Sequence, residues 1–142
     1  MSISEKLVEI SEYNGIGYQP LVDYDAWRVA ILRYHPELLP ENIDNMQRHD
    51  ETDEVFVLLA GRCTLFFGEG SDAITNILAE DMQPLKLYNV KRGTWHTHTL
   101  SEDAMVLIVE NVDTRDANSP KVKLTPEQRE VIMQLARSVQ VS

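Results

Sequence analysis

A dense series of short β-forming segments constrains the fold of this chain more than any other feature of its sequence. The predicted strands are rich in apolar and β-branched residues, and turn-forming glycines such as Gly61 and Gly68 follow two of them. We place these strands at residues 27–34, 54–60, 62–67, 73–78, 85–90, 94–100 and 104–112. Short strands at near-even spacing are typical of an antiparallel sandwich or barrel. The sequence therefore predicts an all-β fold.

The end of the chain has a different periodicity. Thr125 is placed to cap a helix, Pro126 suits the first helical position, and Gln128 completes a capping-box pattern. The following apolar residues recur at helical spacing: Val131, Ile132, Leu135, Ala136 and Val139. We predict a C-terminal α-helix over about residues 126–139, with its apolar stripe packed on the outside of the barrel or on another subunit.

Length and charge narrow the class of protein. A chain of 142 residues suits one domain, so we predict a single domain over residues 1–142 with a barrel core at about 27–112. The longest apolar runs, residues 55–60 and 104–109, are far shorter than the roughly 20 residues that span a bilayer. A net charge of −10 repels nucleic acids and anionic membranes. We expect neither as a partner.

The cellular compartment is predicted from two simple features. Cys63 is the only cysteine, which excludes an internal disulfide framework and fits a reducing environment. The first residues, Met1 to Lys6, show neither a basic start nor an apolar segment after it, so they do not resemble a secretory signal. We therefore expect a cytoplasmic protein.

Five residues in two distant segments form the candidate chemical site. His49 precedes Glu54 by five positions, and His96 and His98 lie in a later strand-like run. Imidazole nitrogens and carboxylate oxygens are donors that borderline divalent metals prefer. Because a strand points alternate residues to one face, Gln47 can share a face with His49, and His96 with His98. Two strands meeting across a barrel could then bring a metal-binding set together.

The spacing of these residues resembles the cupin superfamily. The first cupin motif is Gly-x5-His-x-His-x3–4-Glu-x6-Gly, and His49, Glu54 and Gly61 match its second histidine, glutamate and final glycine. The second motif is Gly-x5-Pro-x-Gly-x2-His-x3-Asn, and Gly93 and His96 match its internal glycine and histidine. The resemblance spans the predicted barrel core. It implies an antiparallel double-stranded β-helix, the jelly-roll barrel of cupins.

The sequence departs from the cupin motifs at five positions. Gln47 stands where the first histidine is expected, Lys91 replaces the proline, and Leu100 replaces the final asparagine. Glu41 and Leu85 replace the two leading glycines. Three of the four usual ligands are therefore kept, and the amide oxygen of Gln47 could complete the set.

The resemblance implies a metal-dependent function. His49, Glu54 and His96 would hold a divalent ion such as Fe, Zn, Mn or Ni, with Gln47 assisting and His98 acting as a catalytic acid or base. An enzyme of this kind would act on a small polar metabolite in an oxygenase- or isomerase-type reaction. The alternative is a metal-free cupin that serves as a small-ligand-binding or structural module. A homodimer would be typical of the family.

Several residues near the motifs have structural explanations. His98 could instead lie at the barrel mouth in solvent. Trp95 is expected in the core or at an interface, and Cys63 is expected to be a small buried apolar residue. The candidate barrel interior comprises Phe56, Leu58, Leu65 and Phe67. The run 105–109 is apolar at every position, which predicts a strand covered on both sides.

Overall fold

The fold is described from a computed structural model, which covers residues 3–141. In chain order the strands are β1 Tyr18–Tyr24, β2 Trp27–Arg33, β3 Asn45–Gln47, β4 Glu54–Ala60, β5 Cys63–Glu69, β6 Asn76–Asp81, β7 Leu87–Val90, β8 Trp95–Leu100, β9 Met105–Asn111 and β10 Lys121–Lys123. One α-helix, α1, runs over Pro126–Val141. Three single-turn 3-10 helices occupy Pro36–Leu38, Pro40–Asn42 and Asp116–Asn118.

The strands form two antiparallel sheets of five strands each. The first sheet has the order β1-β2-β9-β4-β7, and the second has the order β10-β3-β8-β5-β6. Neighbours in a sheet are mostly distant in sequence, as when β9 lies between β2 and β4. This arrangement confirms the predicted all-β jelly-roll barrel with a C-terminal helix.

The main core lies between the two sheets. Because side chains alternate along a strand, β4 directs Phe56 and Leu58 inward, where both are fully buried beside Leu65 of β5. Phe67 is half-buried and packs against the same cluster. Each fully buried side chain of this size contributes about 1.5–3 kcal/mol. The four residues predicted for the barrel interior therefore lie there.

A second core covers the outer face of the second sheet. Ile132 and Ala136 of α1 are buried against Phe66 and Trp95. The predicted cap is present, because the backbone N–H of Gln128 donates to Thr125 Oγ1 at 3.1 Å, and Gln128 Oε1 accepts from the Thr125 N–H at 2.9 Å. Ile132, Leu135 and Ala136 of the predicted stripe therefore pack on this chain's own barrel, whereas Val131 is exposed. Trp95 is a core residue as predicted. No helix in the described range is long and apolar enough to cross a bilayer.

Several strand boundaries differ from the prediction. The strand predicted at residues 73–78 begins only at Asn76, because Gly70 adopts a φ of 117° and the Thr75 N–H bonds back to the Glu69 carbonyl at 2.8 Å in a turn. Strand β1 has no counterpart among the predicted strands and starts directly after Gly17. There the N–H of Gly17 donates to the Tyr34 carbonyl at 3.1 Å and begins the pairing with β2.

The apolar run at residues 105–109, predicted to be buried on both faces of its strand, is fully buried on only one face. In β9, Val106 and Ile108 are buried inside the barrel, whereas Met105, Leu107 and Val109 are half-buried on the outer face of the first sheet. The N-terminal residues around Leu7 form a hydrogen-bonded turn at residues 5–7.

Candidate metal centre

Two imidazoles and one carboxylate converge inside the barrel. The Nε2 atoms of His49 and His96 lie 3.2 Å and 3.0 Å from the same Oε1 atom of Glu54. One donor atom from each residue lies within 4.8 Å of the other two, and all three residues are buried. The two rings are in edge contact, with centroids 5.3 Å apart. The distant residues singled out in the sequence therefore meet at one point.

Each member of this cluster is placed by a different element. Glu54 is the first residue of β4 and points inward, and His96 is the second residue of β8. His49 lies in a loop two residues beyond the end of β3 at Gln47 rather than on a strand, and the side chains of Gln47 and His49 line the same pocket as predicted. The loop is tied down where the Gly93 N–H donates to the His49 carbonyl at 2.8 Å.

The outer nitrogen of each histidine has its own partner. His49 Nδ1 shares a hydrogen bond with Ser119 Oγ at 2.8 Å, and His96 Nδ1 donates to the Thr94 carbonyl at 2.9 Å. Such partners fix the orientation of metal-ligating histidines and leave the other nitrogen free to coordinate. Two imidazole nitrogens, oriented by these outer partners, and one carboxylate oxygen form a donor set that suits borderline divalent metal ions.

Burial, hydrogen bonds and mutual charge shift the pKa values of Glu54 and His96. Burial alone would raise the pKa of Glu54, but hydrogen bonds from His49 and His96 and the charge of His96 outweigh it and hold that pKa well below its ordinary value. Burial opposes charge on His96 as well, yet the Glu54 carboxylate raises the pKa of this imidazole. Both ring nitrogens of His96 face acceptors, the Thr94 carbonyl at Nδ1 and Glu54 Oε1 at Nε2. The Nε2 proton is the one that metal binding would displace.

A pocket of about 280 Å³ opens onto the cluster. Its walls include the side chains of Tyr18, Leu32, Gln47, His98, Ile108, Glu110, Arg115 and Ser119. Besides the three cluster residues, this lining offers polar groups on several sides and apolar surface from Leu32 and Ile108. The cavity is suited to a small, largely polar molecule.

His98 and Gln47 both line this pocket. The Nδ1 atom of His98 is enclosed and has no hydrogen-bond partner among the described residues. Burial, and then the charge of His96, lower the pKa of His98 to about 4, so its imidazole is neutral at pH 7. Gln47 pairs with His96 across the β3–β8 ladder, and its amide nitrogen donates to the Ser119 carbonyl at 3.2 Å. The roles predicted for His98 and Gln47 remain predictions.

Glu110 is a pocket residue that the sequence motifs do not reveal. It is buried on the inner face of β9, next to Glu54, because the neighbouring pair Val109–Val55 sets the register. The Tyr18 hydroxyl donates to Glu110 Oε1, and Oε2 has no partner among the described residues. Burial and the nearby Glu54 carboxylate raise the pKa of Glu110 to about 7. The pocket thus holds a second carboxyl group that titrates near neutrality.

Comparison with known proteins supports the fold. Neither a protein-family model nor a curated protein sequence matches the chain. Among solved structures, a cupin-2 domain protein from Shewanella frigidimarina is 17% identical, with 70% of this chain and 84% of that chain covered and a TM-score of 0.51. The nucleoside dehydratase Pac13 is 14% identical, with 81% and 86% covered and a TM-score of 0.51.

A larger protein contains a region of similar fold. The capsular polysaccharide assembling protein CapF from Staphylococcus aureus is 16% identical, with 77% of this chain but only 32% of CapF covered, and a TM-score of 0.54. Identities this low show the fold and not the activity. The chain has the cupin β-barrel fold, and its buried histidine–glutamate–histidine cluster could hold a metal ion.

Proposed function

We propose that this protein is a divalent-metal-dependent enzyme that acts on a small polar metabolite inside the barrel. The observation that carries the proposal is the convergence of His49 Nε2, His96 Nε2 and Glu54 Oε1 on one buried point. Isolated histidines have structural roles in many folds. Two imidazoles whose outer nitrogens are already engaged, facing one shared carboxylate oxygen, are arranged as metal ligands are.

The three cluster residues would hold the ion, with the Gln47 carbonyl oxygen as a fourth donor. Two histidines and one carboxylate leave coordination positions open, as in non-haem iron oxygenases, and Zn, Mn or Ni also accept such a set. When bound, the ion would supply Lewis-acid polarisation of a substrate oxygen. Hydrogen bonds to Ser119 and Thr94 would keep the rings of His49 and His96 oriented for this role.

The size and lining of the pocket determine which kind of substrate it would accept. A volume of about 280 Å³ restricts the ligand to a small molecule. The enclosed Nδ1 of His98 and the unpartnered Oε2 of Glu110 offer hydrogen bonds to a polar substrate, and Arg115 stands among the lining residues. Pac13, which has the same fold, has been solved with uridine. That complex supports a small polar ligand for this barrel too.

Two groups could move protons during the reaction. His98 is neutral at pH 7 and can hold a proton only transiently, because burial lowers its pKa to about 4 and makes the protonated ring strongly acidic. Glu110, held by Tyr18, has a pKa of about 7 and is suited to donate a proton or take one up at Oε2. Proton transfer next to a polarised substrate oxygen is the chemistry that isomerisation and dehydration require.

The proposal is tested by the metal content of protein purified without a polyhistidine tag. Elemental analysis should find close to one divalent ion per chain, and His49→Ala or His96→Ala should abolish it. His35→Ala is the matched control, because His35 caps a 3-10 turn outside the pocket. Wild-type protein that takes up no ion, even when metal salts are supplied, would contradict the proposal.

A metal-free ligand-binding module is the second candidate. It is favoured by one observation: Glu54 Oε1 already accepts hydrogen bonds from both imidazoles, so the cluster satisfies itself without an ion. Gln47→His distinguishes the two candidates, because it restores the imidazole that the cupin motif has at this position. Metal affinity that is undetectable in both wild type and Gln47→His would favour the metal-free module.

A further inference from the structure

The two imidazoles of the candidate metal centre are joined by very little sheet. Within the described residues, β3 and β8 are paired through Gln47 and His96 alone. His49 lies two residues beyond the end of β3, so no strand ladder sets its distance from His96. The bond from the Gly93 N–H to the His49 carbonyl fixes one point of this loop. The sheet by itself therefore does not determine the separation of the two imidazoles.

The residues that precede the two histidines meet on the other side of the barrel wall. Arg48 precedes His49, and Trp95 precedes His96. Because successive residues of a strand point to opposite faces, Trp95 is buried in the second core while His96 lines the pocket. The guanidinium carbon of Arg48 lies 4.6 Å from the centroid of the Trp95 ring, in a cation–π contact. This outer contact is the counterpart of the ring contact between His49 and His96 inside the barrel.

A shared acceptor completes the outer contact. The Ser71 carbonyl, in the turn between β5 and β6, accepts a hydrogen bond from Arg48 Nη1 at 2.8 Å and another from Trp95 Nε1 at 3.1 Å. Arg48 Nε also lies 2.9 Å from Asp50 Oδ1, so an ion pair connects the two residues that flank His49 in sequence. We call the side chains of Arg48 and Trp95 with the Ser71 carbonyl the outer clamp.

Arginine suits this position better than a residue that merely covers the core. Its planar guanidinium can stack on the Trp95 ring and donate to the Ser71 carbonyl at the same time. A lysine ammonium is a point charge without a flat face, and an apolar side chain could cover Trp95 but would donate nothing to Ser71. The side chain at Arg48 therefore fixes a geometry in addition to shielding the ring.

We propose that Arg48 is a positioning residue of the metal centre, which holds the segment of His49 against Trp95 and so sets the separation of His49 from His96. This inference rests on the proposed function. Arg48 does not line the pocket and acts through the backbone that it shares with His49. Metal ligation tolerates deviations of only about 0.2 Å in ligand distance. A small outward shift of the His49 loop is therefore enough to weaken metal binding.

Charge and positioning predict opposite effects of removing Arg48. A nearby positive charge repels a bound cation, so its loss alone would strengthen metal binding. Loss of the outer clamp would weaken metal binding, because His49 would no longer be held at the distance that a shared ion requires. The sign of the change in affinity thus separates the two roles.

Competition titration with Zn²⁺, on variants that urea curves show to be fully folded at 25 °C, tests the proposal. Arg48→Ala should bind Zn²⁺ about tenfold more weakly than the wild type, as expected for loss of an orienting contact. Arg48→Lys should show a smaller loss, because it restores the charge and a donor. Met82→Ala is the control for lost stability, since Met82 is buried in the main core outside the pocket lining. Arg137→Ala, at an exposed arginine of α1, is the control for lost charge. Both controls should bind as the wild type does.

Co²⁺ gives a spectroscopic readout, because its visible absorption depends on coordination geometry. The bands should change in both Arg48 variants and not in Met82→Ala. If Arg48→Ala does not fold, Arg48→Lys carries the test.

Zn²⁺ binding in the folded Arg48 variants that equals or exceeds that of the wild type overturns the proposal and leaves the proposed function intact. A loss of similar size in Met82→Ala also overturns it, because affinity would then follow stability. Wild-type protein that binds neither ion overturns the proposed function and this inference together.

Discussion

The hydroxyl oxygen of Ser119 lies 2.8 Å from Nδ1 of His49, and this contact orients the one cluster histidine that no strand holds. Ser119 is buried, and it follows the 3-10 turn Asp116–Asn118. The segment before β10 therefore acts on the candidate metal centre without supplying a ligand. The effect of this segment on metal affinity can therefore be measured separately from that of the ligands themselves.

Ser119→Ala should weaken divalent metal binding about tenfold while one site per chain is kept, because loss of an outer partner typically lowers affinity 10–100-fold. The measurement is a competition titration against a chelator. Ser71→Ala, an exposed serine outside the pocket, is the control and should bind as the wild type does. Equal affinity in Ser119→Ala and wild type would mean that Ser119 does not position His49.

Glu110 should make stability depend on pH. Its pKa is about 7 in the folded protein and about 4.3 in the unfolded chain. The native state keeps a proton that the unfolded state loses, so this stabilisation is complete below about pH 4 and is lost as pH rises to 7. In metal-free buffer, the wild type should lose about 2 kcal/mol relative to Glu110→Gln between about pH 4.5 and 7.5, after allowance for solvent screening. Urea unfolding measures this difference, and a difference that does not vary with pH refutes the assignment.

The thiol of Cys63 should not react with thiol reagents in the native protein. The residue is buried in the main core, and burial, followed by the charge of Asp81, raises the pKa of its thiol to about 12. Because the thiolate is the reactive form, a disulfide reagent at about pH 8 should label no thiol in native protein and one thiol after denaturation. Rapid labelling of the native state would show that the strand at Cys63 opens or is exposed.

The helix should stabilise the barrel through its buried stripe. Ile132 is fully buried in the second core, so Ile132→Ala should lower the free energy of unfolding by about 3 kcal/mol. Val131 is its exposed neighbour on the same turn, and Val131→Ala should change stability by less than about 0.5 kcal/mol. Chemical denaturation compares the two variants. Similar losses in both would contradict the packing described for α1.

Spacing predicts the meeting of His49, Glu54 and His96 because strand geometry is regular. Inward positions recur every second residue, and the turn glycine Gly61, with a φ of 69°, ends β4 where the motif places it. A Cβ at that position would lie 2.6 Å from Cα of Ala104, so the turn demands glycine. The alternation of side chains along a strand and the need for glycine at this turn are local properties, so both can be inferred from the sequence.

Long-range partners could not be predicted in the same way. Glu110 belongs to no motif and follows an apolar run, although the alternation of Val106 and Ile108 places it on the inward face. Strand β1 is hidden in a segment rich in glycine and proline, because its pairing with β2 depends on contacts rather than on propensity. Ser119 is brought to His49 across 70 residues, a separation that no local pattern encodes.

Titration of metal-free, untagged protein with Zn²⁺ tests the account most directly. We predict one saturable site per chain, with affinity reduced at least about 100-fold in His49→Ala and His96→Ala and unchanged in His35→Ala. Such losses reflect the removal of one donor from a set of three or four. Wild-type binding no tighter than that of the two cluster variants would contradict the account.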